Sequence, residues 1–508
     1  MLIAPVRAHV GNPDVYFQGA AGPYHLIITI RTPQMIPGTA DVEILSATPG
    51  ISKITVVPLY IVGPGAKYPP VGDLLAQSKE DPQYFSGKIW LMESGSWQVR
   101  VQVEGTQGTG ELAVPVPAAA RRTLPMQKSL GVLLFALMSL LVVAIISIVG
   151  AARREATLPP GEFPSAERSR RGRWIMLGTA VVVFGILYFG NWWWNSEASA
   201  KTRQMIYKPP PLDVSVEPNG KLLLKMGNSA WHSSRPETVM TTLMPDHGHL
   251  MHLFLIRTPQ MDRFYHLHPV ADKGGVFLED LPPIAAGHYQ VFADIVRVSG
   301  FPDTLSAQID IPETAGKPLS GDDSTASAPP ISADSQNAKY ASGGNAKDAM
   351  GTNDAQASLV SMLPDGTRMV WERAPGPLPA NQLLWFKFRL EDTNGKPVAN
   401  LEPYMGMAGH AEFVRSDLSV FAHVHPDGSV PMAAVQLADA TLTKNSGSAA
   451  SGNSSAMTEM NMPGMVLSPI GPEVSLPYGF PKPGVYRIFV QVKYNGRVET
   501  GVFDAEVK

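Results

Sequence analysis

The sequence predicts a mainly β protein: three β-sandwiches and a two-helix transmembrane hairpin. Three observations lead there. Short alternating or wholly apolar runs such as PYHLIITI, ADVEIL and KITVVPLYIV recur between Pro and Gly turns. A Gly-x-aromatic step enters an alternating strand three times, in GSWQVRVQVEG (95–105), GHYQVFADIV (287–296) and GVYRIFVQVKYNG (484–496). Two uncharged apolar runs lie close together between residues 129 and 190.

Composition sets the limits. A chain of 508 residues suffices for three or so domains, each with its own core. Forty-six prolines, 46 glycines and only 17% charged residues suit loop-rich β structure. A net charge of −3 without a basic stripe argues against nucleic acid as a partner. The lack of cysteine removes disulfides, zinc fingers and every copper electron-transfer site that needs thiolate.

Taken in order, residues 1–8 (MLIAPVRA) read as the remnant of a secretory signal. Cleavage after Ala8 would make His9 an amino-terminal copper chelator, although an ordinary exposed histidine is the simpler reading. Residues 9–118 form sandwich 1, a scaffold or interaction module without a ligand cluster. The first span covers 129–151, where more than 20 residues carry no charge, enough to cross a hydrocarbon core. The second covers 174–194 and ends on Trp192, Trp193 and Trp194, an interfacial anchor. Between them, loop 152–173 holds Arg153, Arg154, Arg168, Arg170, Arg171 and Arg173, against Arg121, Arg122 and Lys128 on the leading flank. The positive-inside rule therefore puts the loop in the cytoplasm. Both terminal domains are then expected on the extracytoplasmic side of a bacterial inner membrane.

Sandwich 2 is assigned to 212–314. Residues 315–356, rich in Ser, Ala, Gly and Asp, read as a disordered linker. Sandwich 3 fills 357–508, interrupted by a Met-rich insert at 443–466. The shared Gly-x-aromatic strands make all three sandwiches immunoglobulin-like or cupredoxin-like relatives.

The chemistry concentrates in two stretches. YMGMAGHAEFVRSDLSVFAHVHPDG (404–428) contains Met405, Met407, His410, His423 and His425. Read as a hairpin turning at Ser416, Asp417 and Leu418, it projects His423 and His425 to one side, since residues two apart share a face. A loop centred between Asp417 and Leu418 sets His410 opposite His425 on that face. Three imidazoles beside a Met-x-Met are a borderline-to-soft donor set that suits copper better than calcium or magnesium. The stretch MPDHGHLMHLFLIRTPQMDRFYHLHPV (244–270) repeats the pattern: His252 matches His410, and His266 and His268 match His423 and His425. His247 and His249 are optional ligands from the preceding turn. In the insert, Met457, Met460, Met462 and Met465 fall within nine residues and offer thioethers for Cu(I). The competing reading makes these histidines hydrogen-bonded sheet residues and the methionines a cover for an apolar patch.

LEPYMGMAGHAEFVRSDLSVFAHVHPDG, with the later GVYRIFVQVKYNGRVETGVFDAEV, resembles the extracytoplasmic YtkA-like and FixH-like modules of bacterial membrane or secreted proteins. HLFLIRTPQMDRFYHLHP is similar to the companion module found before them, and the Met-rich insert to the loops of CopC-type copper-resistance proteins. The resemblance implies a sandwich fold and an association with copper homeostasis. The expectation is a membrane-anchored, outward-facing protein that binds copper as Cu(I) or Cu(II) and exchanges it with another envelope copper protein. No nucleophile elbow, phosphate loop or paired acidic motif points to an enzyme. Two alternatives stand beside this expectation: a metal-free envelope scaffold or receptor, and an accessory factor for assembling a copper-dependent respiratory oxidase.

Overall fold

The computed structural model describes residues 9–10, 14–234, 243–272, 275–331, 359–445 and 470–508. The described chain divides into a β unit (1–119 with 208–508) and a helical unit (120–207).

The helical unit is a hairpin of the Lys128–Glu155 and Ala166–Met205 helices. Both outrun the expected spans, the first running to Glu155 shortly before Pro159, Pro160 and Gly161, and the second opening at the Ser165 cap and continuing to Met205. Ser165 Oγ accepts from Arg168 N at 3.3 Å. The helices run antiparallel and bury two small residues, Gly150 and Gly172, against each other. A Cβ on Gly150 would meet Met176, and one on Gly172 would meet Arg154. Each helix contains an apolar window, long enough to cross a membrane, of which protein buries none.

In the β unit, sandwich 1 stacks two antiparallel sheets. One runs Asp14–Ala21, Tyr24–Arg31, Gly38–Ser46, Tyr84–Leu91, Ala76–Gln77; the other runs Gly108–Ala118, Gly95–Gly105, Ile51–Tyr60, Asp73–Leu74. Alternation does the work: Leu26, Ile28 and Ile30 point inward from one strand, and Val99, Val101 and Val103 from another. The boundary expected at residue 9 does not hold. His9–Val10 adds as a parallel strand to sandwich 3, with His9 beside Val420.

Sandwiches 2 and 3 are alike. Each places a histidine-bearing hairpin next to the Gly-x-aromatic strand: His252–Arg257 lies between Arg263–Leu267 and Gly287–Arg297, and His410–Arg415 between Val420–Val424 and Gly484–Tyr494. Glu412 pairs with His423 and Leu253 with Leu267, so both loops have the expected centre and His410 and His252 sit level with His425 and His268. Successive side chains then divide between two cores. Ala411 and Phe413 enter the core of sandwich 3, while Val414 joins Phe254, Ile256, Phe264, Phe292, Phe421 and Phe489 in a cluster between the sandwiches.

That cluster has pseudo-twofold character. Under the repeat, Phe264 corresponds to Phe421 and Phe292 to Phe489. Phe264 stacks on Phe489 at 4.2 Å, and Phe292 on Phe421 also at 4.2 Å, so each pair is the image of the other.

Two further expectations change. The supposed linker 315–356 is folded as far as residue 331: Ser324–Ser327 pairs antiparallel with Arg263–Leu267, burying Ser324 and Ala326. The 443–466 insert begins inside a helix, Met432–Asn445, which the sequence reading missed. This helix lies against sandwich 1, where Gln98 Nε2 donates to Thr441 Oγ1 at 2.7 Å. Residues 332–358 and 446–469 lie outside the described chain, and with them Met457, Met460, Met462 and Met465.

Candidate metal centre

The same pseudo-twofold brings both histidine hairpins to one place. Eight of the chain's 12 histidines form a continuous cluster between sandwiches 2 and 3. Two turns begin it. Asp246–His249 and Tyr404–Met407 are matching two-residue hairpin turns, closed by bonds of 2.8 and 3.0 Å. His247 and Met405 take the left-handed conformation at φ 52° and 49°, each followed by a glycine that also requires it. His247 thus corresponds to Met405 and His249 to Met407. The two turns meet where His247 Nδ1 donates to Met405 O at 2.9 Å.

Six rings form two triads, with the donor nitrogens of each within 4.8 Å of one another: His247, His410 and His425, and His252, His266 and His268. The second is the set expected from sequence. The first is not: His247 of sandwich 2 stands where His423 was expected. A cluster assigned to a single hairpin is therefore shared between two sandwiches.

In five of the six rings the outer nitrogen is tied to a protein oxygen. His425 Nδ1 meets Val430 O at 3.3 Å, and His252 Nε2 meets Asp246 O at 3.1 Å. His266 Nδ1 meets Gln491 Oε1 at 3.0 Å, His268 Nδ1 meets Asp323 Oδ1 at 2.8 Å, and His247 has Met405 O. Because each of these oxygens requires an N–H, the opposite nitrogen is left with a lone pair. Those lone pairs face one another. His252 Nδ1 and His266 Nε2 are 3.2 Å apart, and Nε2 of His247, His268 and His425 and both nitrogens of His410 have no hydrogen-bond partner among the described residues. Fixing the outer nitrogen so that the inner one points at an ion is how proteins orient metal-binding imidazole.

Burial completes the arrangement. His252, His266, His410 and His425 are held well below the ordinary histidine pKa, by burial first and neighbouring rings second. Burial is also the largest cause of the lowering at His247 and His249. His247, His249, His252, His266, His410 and His425 are consequently neutral near pH 7, the form that coordinates metal. Three Zn–N or Cu–N bonds of about 2.0 Å would set the nitrogens about 3.4 Å apart. The second triad already contains one such pair at 3.2 Å, and in both triads the donor nitrogens lie within 4.8 Å of one another. The residues fit an all-imidazole ion site.

His249 stacks on His268 at 3.9 Å, with its Nε2 3.6 Å from Asp322 Oδ2, at the partly exposed edge of the cluster. Met407 is buried and Met405 half-buried in the turn. His423 touches both triads through ring contacts of 4.6 Å to His425 and 5.5 Å to His252. Sequence reasoning missed Asp322, Asp323 and Ser324, which lay in the supposed linker, and Gln491 and Asp294, which are counterparts on the two Gly-x-aromatic strands. Each of these last two reaches across to the other sandwich: Gln491 to His266 at 3.0 Å and Asp294 Oδ2 to His423 Nδ1 at 3.5 Å. Comparing the strands for polar residues at inward positions would have found both. His232 is elsewhere, buried against Asp303 at 2.9 Å, and His288 sits at the surface beside Asp310.

Residues 362–508 match a domain of unknown function (DUF8832). No curated protein matches the chain. Among solved structures, the chain is similar over 93% of its length to 91% of a chain from a 1.5-MDa bacterial ice-binding adhesin, at 7% identity and a TM-score of 0.14. It is also similar over 94% of its length to 97% of a tetra-tandem repeat from the extending region of a large adhesion protein, at 8% identity and a TM-score of 0.17. A third similarity, over 99% of its length, is to 22% of E. coli alpha-2-macroglobulin, at 9% identity and a TM-score of 0.18. Scores of this size establish no common fold, and the chemistry rests on the residues of the centre itself.

Proposed function

We propose that the protein is a membrane-anchored copper-binding protein that holds one ion in each imidazole triad and serves copper homeostasis or trafficking. The observation that carries this reading is the inward-facing set of lone pairs, fixed from behind by Met405 O, Val430 O, Asp246 O, Gln491 and Asp323. A structural role for the histidines alone would not leave so many buried lone-pair nitrogens without a donor, since each costs about 1–3 kcal/mol. Neutral nitrogen donors without thiolate favour copper, which also binds most tightly of the first-row divalent ions. Met405 and Met407, and the Met-rich segment, extend the donor set toward Cu(I). The role assigned is binding and hand-over rather than catalysis. This reading includes the kinship with YtkA-like, FixH-like and CopC-type proteins.

The centre belongs on the extracytoplasmic side of the bacterial inner membrane in this proposal, with the arginine-rich loop in the cytoplasm. Contact between sandwiches 1 and 3 supports it. Gln18 N donates to Asp427 O at 2.9 Å, which suits a reading with sandwiches 1 and 3 in one compartment.

The test is copper titration of the detergent-solubilised chain with metal analysis. Binding is expected in wild type and is expected to be lost when His410, His425, His252 and His268 are replaced together. Equal binding by both proteins overturns the proposal, and absence of binding in wild type favours the scaffold reading.

A further inference from the structure

The triads leave His423 unused, although it is central to the cluster. Asp294 Oδ2 lies 3.5 Å from its Nδ1. Its Nε2 has no hydrogen-bond partner among the described residues and is 4.0 Å from Glu412 Oε1. Glu412 is 0% exposed, and neither of its oxygens has a partner among those residues. A gap of 4.0 Å is too long for a hydrogen bond, and two bonds of about 2.0–2.2 Å meeting at one tetrahedral ion would set the two atoms about 3.4 Å apart, so a side-chain shift of under about 1 Å lets both reach one ion.

The repeat supplies an independent comparison. The counterpart of Glu412 in sandwich 2 is Phe254, whose ring stacks on His266 at 4.4 Å and closes that position. In sandwich 3 the same place holds a buried carboxyl group facing an open nitrogen.

We propose that His423 Nε2 and the Glu412 carboxylate form a third cation seat beside the two triads, suited to a borderline divalent ion such as Zn(II) or Cu(II). Asp294 is a positioning residue that holds the His423 ring. A carboxylate makes this seat harder than the all-imidazole triads, so it discriminates against Cu(I). The inference extends the two-triad reading but is tested separately from it.

The experiment loads the full chain in detergent with Zn(II), which is redox-silent, and measures bound zinc after gel filtration. Wild type is expected to hold one equivalent more than Glu412→Gln, with Glu412→Asp restoring part of the difference. Thermal melts of the metal-free proteins check that the variants fold. If the triads hold no zinc, the total drops to a single equivalent that still vanishes in Glu412→Gln, so failure of the triads remains distinguishable. Identical stoichiometry in wild type and Glu412→Gln overturns the third seat, whatever the triads bind.

Discussion

His247 is the residue on which the composition of the centre turns. It comes from sandwich 2 yet joins His410 and His425 of sandwich 3, so replacing it should affect one triad and spare the other. His247→Ala is expected to lose one equivalent of copper and keep the one held by His252, His266 and His268, as read by metal analysis. A second prediction concerns a carboxyl group away from the centre. Burial, followed by the charge of Asp365, pushes Glu499 up to about 7 from 4.5. The folded chain therefore keeps that proton where the unfolded chain releases it. Stability from this group is complete below pH 4.5 and is lost as pH rises to about 7. Glu499→Gln should match wild type in melting temperature at pH 4.5 and exceed it at pH 8, by thermal unfolding. Most of the clustered histidines were legible in the sequence, because a His-x-His-Pro repeat in alternating strands fixes which rings share a face. It could not assign His247 over His423, since that choice depends on how two sheets dock and not on strand period.

At the scale of elements, the hairpin registers followed from loop parity, whereas the docking of the sheets did not. Val414, Phe421 and Phe489 read as ordinary core residues; nothing local says that their core lies between two sandwiches. Phe421 packs on Phe254 at 5.1 Å and Phe292 at 4.2 Å. Phe421→Ala should cost about 3–5 kcal/mol in denaturant unfolding. It should also weaken copper binding, because the triads depend on the same contact. The segment through residue 331 was illegible for a related reason: Ser324 and Asp323 have disorder-prone composition and are ordered by Gln491 and His268, partners distant in sequence. The helix Met432–Asn445 takes a cap from another sandwich, Asp246 Oδ1 accepting from Ala433 N at 2.8 Å. Asp246→Ala is expected to remove about 0.5–2 kcal/mol from that helix and speed its amide exchange.

For the whole molecule, the helical hairpin and the three sandwiches were readable from apolar run length, arginine distribution and strand alternation. Apolar windows that protein leaves bare should make the chain resist extraction by alkaline carbonate and yield only to detergent, as checked by sedimentation. Since the sequence has no cysteine, Ser165→Cys in the arginine-rich loop provides a single label site. It should be shielded from an impermeant maleimide in intact cells and labelled after lysis.

The strand His9–Val10, aligned with Val420 and Phe421, ties residues 9 and 10 to a sheet completed only some four hundred residues later. Translation must therefore leave this strand waiting without its mate while both apolar helices are synthesised. A chaperone that shelters this strand, or a kinetic delay in maturation that shortens when the strand is supplied as a separate peptide, follows from that single pairing.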